Sequence, residues 1–149
     1  MTFDFDVSNW LMGRPARLAA AGGGEIVALL SYSDGRSATI AASGLMPIGA
    51  PFRVGFRALF EEAALELETV FAEGPPRNTF TIAEGGSAPR PIVLPAVNPY
   101  EAELRRFVDC IRAKADPALL GAEHALAALG LSLATQRALA TGEAVSFIG

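Results

Sequence analysis

The sequence predicts an α+β fold in which strands come first and the long helices come last. Apolar and polar residues alternate along several segments between positions 17 and 94, which is the period of half-buried strands. After position 95 the apolar residues recur every three or four positions, which is typical of amphipathic helices. Strands and helices do not alternate, so we expect an open-faced, largely antiparallel or mixed β-sheet with two long helices on one face.

Length and composition indicate a single domain over residues 1–149. The chain is 51% hydrophobic and carries a net charge of −4, and a chain of this size can bury a sizeable core. Its basic residues form no cluster, which argues against nucleic acid as a partner. No apolar run is long enough to cross a membrane, and the acidic start is unlike a signal peptide. With one cysteine, Cys110, no internal disulfide can form, and we expect a cytoplasmic protein.

The strands are predicted from the alternation and from the turns between them. Asp34-Gly35 is the preferred pair for a tight hairpin turn. Between 52 and 71, a second hairpin would gather its arginines and glutamates on one polar face and its phenylalanines on a core face. The predicted strands are 17–21, 25–33, 36–43, 52–60, 65–71, 79–83, 91–94 and 144–148.

Three helices are predicted beside these strands. The first, 4–12, begins with Asp4 and Asp6, which suit the positive end of a helix dipole better than a magnesium site. The second begins after the N-cap residue Asn98 and runs to about 114. The third, about 122–140, is apolar nearly all round, which predicts burial between a sheet and another helix.

The sequence contains no motif for binding a dinucleotide or a metal. The glycine run 22–24 precedes a strand and opens no helix, so we interpret it as a connector between strands and not as a phosphate loop. The one lysine, Lys114, lies in a helix and not in a phosphate-binding loop. One histidine and one cysteine cannot build a zinc site. We therefore expect no cofactor or metal to be bound by this chain alone.

Two arginines are candidates for a pocket or an interface. Arg53 and Arg57 point to the same side of one predicted strand and could clamp an anionic ligand. Glu66 and Glu68 lie on the neighbouring predicted strand, so a salt-bridge ladder facing solvent or a second copy is the simpler interpretation.

A nucleophile and base would have to be Cys110 and His124. Cys110 flanks the apolar stripe of its helix, which is typical of a small buried filler. His124 lies at the start of the last long helix, where a surface histidine is the ordinary interpretation. We keep His124, together with Asp6, as a candidate pocket residue and assign no catalytic residue.

Several ordered segments resemble one known family. The segments are Asp4–Val7, Trp10–Gly13, Val27–Leu30, Asn98–Leu104, Phe107–Arg112, Glu123–Leu126 and Gly142–Val145. Together they resemble the carboxy-terminal domain of Gfo/Idh/MocA oxidoreductases, whose tail is similar to "NPY-x-x-EL-x-x-FVDCIR". No single segment is specific, whereas their order is fairly specific and covers essentially the whole chain.

The resemblance implies a fold and a division of labour. In this family a Rossmann domain that binds NAD(P) precedes an α/β domain with a large open-faced sheet. That second domain is similar to the carboxy-terminal domains of dihydrodipicolinate reductase and glyceraldehyde-3-phosphate dehydrogenase. It shapes the substrate pocket and usually makes the oligomer contact. The chain is therefore expected to have no dinucleotide-binding domain, with NAD(P) belonging to full-length members.

The resemblance also implies that one catalytic group of the family is not retained in this chain. The family's histidine position falls on Phe3, and only Asp6, which follows that position, is retained. Because phenylalanine cannot transfer a proton, hydride transfer by this chain alone is not expected. The resemblance thus implies a stand-alone substrate-pocket and oligomerisation domain of a sugar or polyol oxidoreductase, inactive without a Rossmann domain.

Two other functions stay open. The chain could be a subunit of a split NAD(P)-dependent oxidoreductase with a separately encoded Rossmann partner, or an independent module that binds a small ligand. For the stand-alone domain, a homodimer is expected through the sheet face that the helices leave uncovered. On that face we place Val27, Leu29, Ala41, Arg53, Arg57, Leu59, Glu66 and Glu68.

Overall fold

The computed structural model describes residues 1–95 and 97–147, and it confirms the α+β class with antiparallel strand pairing. The helices are α1 (Thr2–Met12), α2 (Pro99–Ile111) and α3 (Ala122–Thr141), with a short 3₁₀ turn at Pro117–Leu120. The strands are β1 (Arg17–Gly22), β2 (Glu25–Ser31), β3 (Ser37–Ser43), β4 (Phe52–Leu59), β5 (Ala63–Phe71), β6 (Arg77–Glu84), β7 (Arg90–Pro91) and β8 (Val145–Ser146). Of the predicted last strand, position 148 lies outside the described residues.

The chain divides into two compact units. The first unit combines Met1–Met46 with the chain from Glu103 onward, and the second is Pro47–Ala102. In the first unit, four antiparallel strands form a sheet in the order β3-β2-β1-β8. In the second, four antiparallel strands form a separate sheet in the order β4-β5-β6-β7. The open sheet expected from the sequence is thus present as two sheets.

The hydrophobic core of the first unit lies between its sheet and two helices. Leu18 of β1 pairs with Leu30 of β2, and both side chains are completely buried together with Phe5 of α1. α3 packs against both β1 and α1, and α1 also touches β3. The helix that shares the covered face with α3 is therefore α1, whereas α2 buries none of its residues.

The composition of α3 explains how two helices and a sheet meet so closely. The buried residues recur at helical spacing on one face of α3. They are Ala128, Leu131, Ala134, Thr135 and Ala138. Because three of the five are alanines, the helix backbone can approach the sheet and α1 without large side chains between them. The opposite side of α3 stays exposed, so the predicted burial on all sides is correct for one face only.

Turn residues set the ends of these elements as predicted. The chain turns between β2 and β3 at Asp34-Gly35, where Gly35 has φ +90°. The Asp34 carboxylate accepts hydrogen bonds from the backbone N–H of Arg36 at 3.1 Å and from its guanidinium at 2.7 Å. At the end of α3, Gly142 adopts the left-handed conformation with φ 72°, and its N–H donates to the Ala138 carbonyl.

The predicted core face of the second unit is wrong for the described chain. Phe56 of β4 stands opposite Leu67 of β5, and Phe52 packs its ring on Phe71 with centroids 5.5 Å apart. Phe52 is nevertheless 63% exposed, and Phe60, which follows β4, is 61% exposed. Alternation correctly shows that a strand has an apolar face, but it does not show that anything covers that face.

The same substitution is expected to cost much more stability on the buried side of α3 than on its exposed side. Leu131 is 4% exposed and Leu133 is 55% exposed, although both lie in the middle of the same helix. We expect Leu131→Ala to lower the free energy of unfolding by about 2–5 kcal/mol, since it leaves a cavity in the core. Leu133→Ala, the matched control with the same change in helix propensity, should cost less than about 1 kcal/mol. Urea denaturation measures both, and equal losses would contradict the assignment of the core.

The hairpin turn predicts a pH dependence with a definite sign. The backbone N–H of Arg36, and after it the Arg36 guanidinium, hold the pKa of the Asp34 carboxyl below its ordinary value of 3.8. The contribution of this carboxylate to stability is therefore present above the unfolded-state pKa and is lost as the pH falls through the lower folded-state pKa. An NMR titration should show the pKa of Asp34 rising part of the way in Arg36→Gln, because the backbone hydrogen bond remains. An unchanged pKa would show that the guanidinium contributes nothing.

Candidate functional site

The four residues proposed for a pocket or an interface belong to different units. Asp6 lies on α1 and His124 in the first turn of α3, both in the first unit. Arg53 and Arg57 lie on β4 in the second unit. Asp6 and Arg57 are exposed and His124 is half-buried, and none of these three side chains forms an ion pair or hydrogen bond within residues 1–95 and 97–147.

The arginines of β4 and the glutamates of β5 share a face, as the ladder interpretation requires. Arg57 stands directly opposite Glu66 in the antiparallel pairing of β4 and β5. Arg53 forms an ion pair with Glu68, the two groups being 3.0 Å apart. Both partners are about half exposed, and such a pair contributes about 0–1 kcal/mol to stability. Arg53 is thus engaged within its own sheet.

Cys110 and His124 are not joined in the structure. The half-buried Cys110 lies near the end of α2, and its thiol is 3.5 Å from the carbonyl oxygen of Asp116. The backbone N–H of His124 donates to the Gly121 carbonyl at 3.2 Å, as is usual in a first helical turn. Over the described part of the chain no hydrogen bond links the thiol to the imidazole, so the geometry does not present an activated nucleophile.

The glycine run and the acidic residues are placed by the fold without a ligand role. Gly22 ends β1 and Glu25 begins β2, so the run 22–24 is the turn of an antiparallel hairpin, as the connector interpretation predicted. Within the described residues, no three histidine, cysteine or acidic side chains lie close enough together to hold a metal ion. None of the described helices is long and apolar enough to span a membrane.

The start of α1 is the position where the family resemblance places its chemistry. Thr2 is tied to α3 by a contact of 3.1 Å between its hydroxyl and that of Ser132. Phe5 and Ser8 face the core, and the Ser8 hydroxyl is 3.0 Å from the Tyr32 hydroxyl. These contacts fix the rotation of the helix about its axis. Phe3 is consequently turned outward and is 88% exposed.

An apolar stripe runs along the outer side of α1, and sequence reasoning missed that it is uncovered. Its members are spaced as neighbours on one helix face. They are Phe3, Val7, Trp10 and Leu11. Trp10 is 69% exposed, which is unusual for the largest apolar side chain. The signal in the sequence was a short helix with apolar residues on two sides, of which a single core can bury only one.

The sheet of the first unit also has an uncovered face. Val27 pairs with Ala41 and Leu29 with Thr39 across β2 and β3, and these side chains point away from the buried face. All four are exposed. The centre of this face is therefore apolar and uncharged, whereas the charged residues of the predicted interface lie in the other sheet.

Known structures match this fold although no sequence comparison does. No protein-family model matches the chain, and no curated protein sequence matches it. The putative oxidoreductase yvaA from Bacillus subtilis matches with a TM-score of 0.69 and 14% identity, and the match covers 99% of this chain and 50% of the yvaA chain. An aldose-aldose oxidoreductase from Caulobacter crescentus, solved with glycerol, matches with a TM-score of 0.69 and 18% identity. That match covers 98% of this chain and 45% of the oxidoreductase chain.

A third match is the WlbA dehydrogenase from Bordetella pertussis, solved in complex with NADH and UDP-GlcNAcA. Its TM-score is 0.62 at 14% identity, and the match covers 99% of this chain and 44% of that one. The chain thus spans about half the length of the solved oxidoreductases that it matches. At these identities the likeness shows the fold, and the chain has the fold of one half of Gfo/Idh/MocA-type oxidoreductases, as the sequence resemblance implied.

Proposed function

We propose that this chain is the substrate-side and assembly domain of a Gfo/Idh/MocA-type oxidoreductase acting on sugars or polyols. The observation that carries the proposal is the coverage of the structural matches. They extend over 98–99% of this chain but only 44–50% of the oxidoreductases. In this proposal the chain supplies the wall of a substrate pocket and a subunit contact, and NAD(P) is bound outside these residues.

The start of α1 supports a role without acid–base chemistry. Phe3 stands where the resemblance places the catalytic histidine, and it is exposed beside the retained Asp6 on the same helix. A phenyl group can bound a pocket but cannot take or give a proton. The remaining carboxylate is unpaired among the described residues and could accept a hydrogen bond from a substrate hydroxyl.

The outer stripe of α1 favours a second candidate, a subunit of a split oxidoreductase. Exposed apolar side chains in one contiguous row mark a contact surface more often than a free one. A separately encoded Rossmann subunit would cover Phe3 and Trp10 and bring a cofactor to the start of α1. The half-buried Cys110, which forms no disulfide, suits the reducing cytoplasm that we propose for such an assembly.

The uncovered face of the first sheet supports a homodimer. Val27 and Leu29 would lie at the centre of a two-fold contact in which the same patch meets itself. An uncharged apolar centre is what such contacts bury, and the contact would remove on the order of 1,200–2,000 Å² of surface in total. The charged pair of Arg53 and Glu68 already satisfies itself within the other sheet, so it has less to gain from a partner.

The proposal predicts no cofactor binding by the chain alone. A fluorescence titration with NADH should show no saturation at micromolar concentrations, because the described residues contain no strand–glycine loop–helix unit. Phe3→His should restore no turnover of a polyol with NAD, since one proton-transfer group does not replace the cofactor site. Phe3→Leu serves as the matched control for the loss of the ring. Micromolar NADH binding, or turnover by Phe3→His, would refute the proposal that NAD(P) is bound outside these residues.

Co-expression separates the two candidates. If the enzyme is split, the product of a neighbouring reading frame that encodes a Gly-x-Gly-x-x-Gly motif should co-purify with the chain. Trp10→Glu should then abolish the complex. Leu133→Glu, an exposed leucine on the far side of α3, is the control. If no such partner exists or binds, the stand-alone domain remains.

The dimer proposal predicts which substitution produces a monomer. Leu29→Glu should halve the mass measured by light scattering at tens of micromolar, because two buried carboxylates would face each other across the two-fold axis. Arg57→Glu should leave the dimer intact, since that residue lies in the other sheet. A monomeric wild type would refute the proposal, and a monomeric Arg57→Glu with a dimeric Leu29→Glu would move the contact to the second unit.

A further inference from the structure

A cleft lies in the first unit at the far end of α1 from Phe3. Its volume is about 600 Å³, which is the size of a pocket for a small organic molecule. Asn9 lies six residues beyond Phe3 along α1, or roughly 9 Å along the helix axis at 1.5 Å per residue. The cleft is therefore distinct from the position where the family resemblance places its chemistry, and the inference below does not rest on the proposed function.

One polar side chain at this cleft has no hydrogen-bond partner within residues 1–95 and 97–147. Both the amide nitrogen and the amide oxygen of Asn9 are buried, and neither makes a hydrogen bond to any described residue. Buried polar atoms are nearly always paired, so an amide with both functions unpaired calls for an explanation. Asn9 also lines the cleft, and its side chain would have to change rotamer for the buried amide to meet a molecule bound there. A molecule in the cleft would supply the acceptor and the donor that the protein does not.

Two further polar groups line the same cleft and are equally unengaged. Arg14 lies in the loop between α1 and β1, and Ser33 follows β2. Neither side chain forms a hydrogen bond or an ion pair within the described residues. The guanidinium of an arginine binds carboxylates and other planar anions through two parallel hydrogen bonds. Arg14 is available for such a ligand. Among the described residues that line the cleft, Arg14 is the only charged one, so these residues give the cleft a positive charge.

The remaining wall of the cleft is apolar. It is formed by Leu126, Ala127, Gly130 and Leu131 of α3, with Phe147 after β8 and Pro15 after Arg14. Gly130 has open space around the position of a β-carbon, which widens the cleft at the middle of α3. An apolar wall with a few convergent polar groups is the usual design of a small-molecule site.

We propose that this cleft binds a small carboxylic acid with an apolar body and a hydroxyl or amino group next to the carboxylate. The carboxylate pairs with the guanidinium of Arg14 and accepts from the hydroxyl of Ser33. The neighbouring hydroxyl or amino group donates to the Asn9 amide oxygen, while the amide nitrogen donates to the carboxylate. The apolar body lies against Leu126, Leu131 and Phe147.

The test uses 2-hydroxy-4-methylpentanoate as the probe, followed by NMR of the whole chain. Binding should shift the side-chain amide signal of Asn9, with saturation below about 10 mM. 4-Methylpentanoate, which lacks the hydroxyl, should bind roughly tenfold more weakly, and 4-methylpentanol, which lacks the charge, should not bind measurably. No shift at about 10 mM, or shifts only outside the cleft, would overturn the proposal.

Variants separate a binding role of Asn9 from a structural one. Asn9→Leu should lose binding by roughly tenfold or more without lowering the melting temperature, because it removes an unpaired amide from the protein. Arg14 is exposed, so Arg14→Gln should leave folding unchanged. It should weaken binding of the hydroxy acid by a similar factor. Lys114→Gln is the control for the loss of one positive charge. If Asn9→Leu and Arg14→Gln bind as the wild type does, the amide is satisfied by water alone and the proposal fails.

Discussion

The structure depends on the close packing of two helices over one side of a four-stranded sheet. The alanines of α3 allow that closeness, and Phe5, Leu18 and Leu30 fill the space between the layers. Burying three such side chains completely contributes on the order of 1.5–3 kcal/mol each. Because α1 is held by its inner face in this way, the direction of every residue on its outer face is fixed as well.

The same constraint explains why so much apolar surface is left uncovered. One side of the first sheet receives both helices that pack in this unit, so Val27 and Leu29 on its other side receive none. In the second unit, Phe52 and Phe60 are exposed. α2, which lies mostly in the first unit, buries no residue. A solitary protein rarely exposes several large apolar patches. These uncovered apolar faces are the observations behind the subunit contacts proposed above.

The sequence predicted local structure better than it predicted burial. The hairpin at Asp34-Gly35 and the end of α3 at Gly142 follow from backbone conformations that few residues adopt, so the signal is contained in one or two positions. The exposure of Phe52 could not be predicted, because alternation shows that a strand has an apolar face and does not show whether another element packs on that face. The unpaired amide of Asn9 could not be predicted either, since the burial of a side chain depends on the tertiary packing around it and not on its neighbours in the sequence.

The position of Phe3 shows that the packing of α1 does not depend on which side chain stands at the start of its outer face. Phe5 and Ser8 anchor α1 through the core, whereas Phe3 contributes almost nothing to it, being 88% exposed. A side chain at that position is therefore free of packing constraints, and either a histidine or a phenylalanine is compatible with the same helix. The inner face of α1 contributes to stability, whereas the outer face is where the family resemblance places its chemistry. A substitution at Phe3 is therefore expected to change the stability of the domain very little.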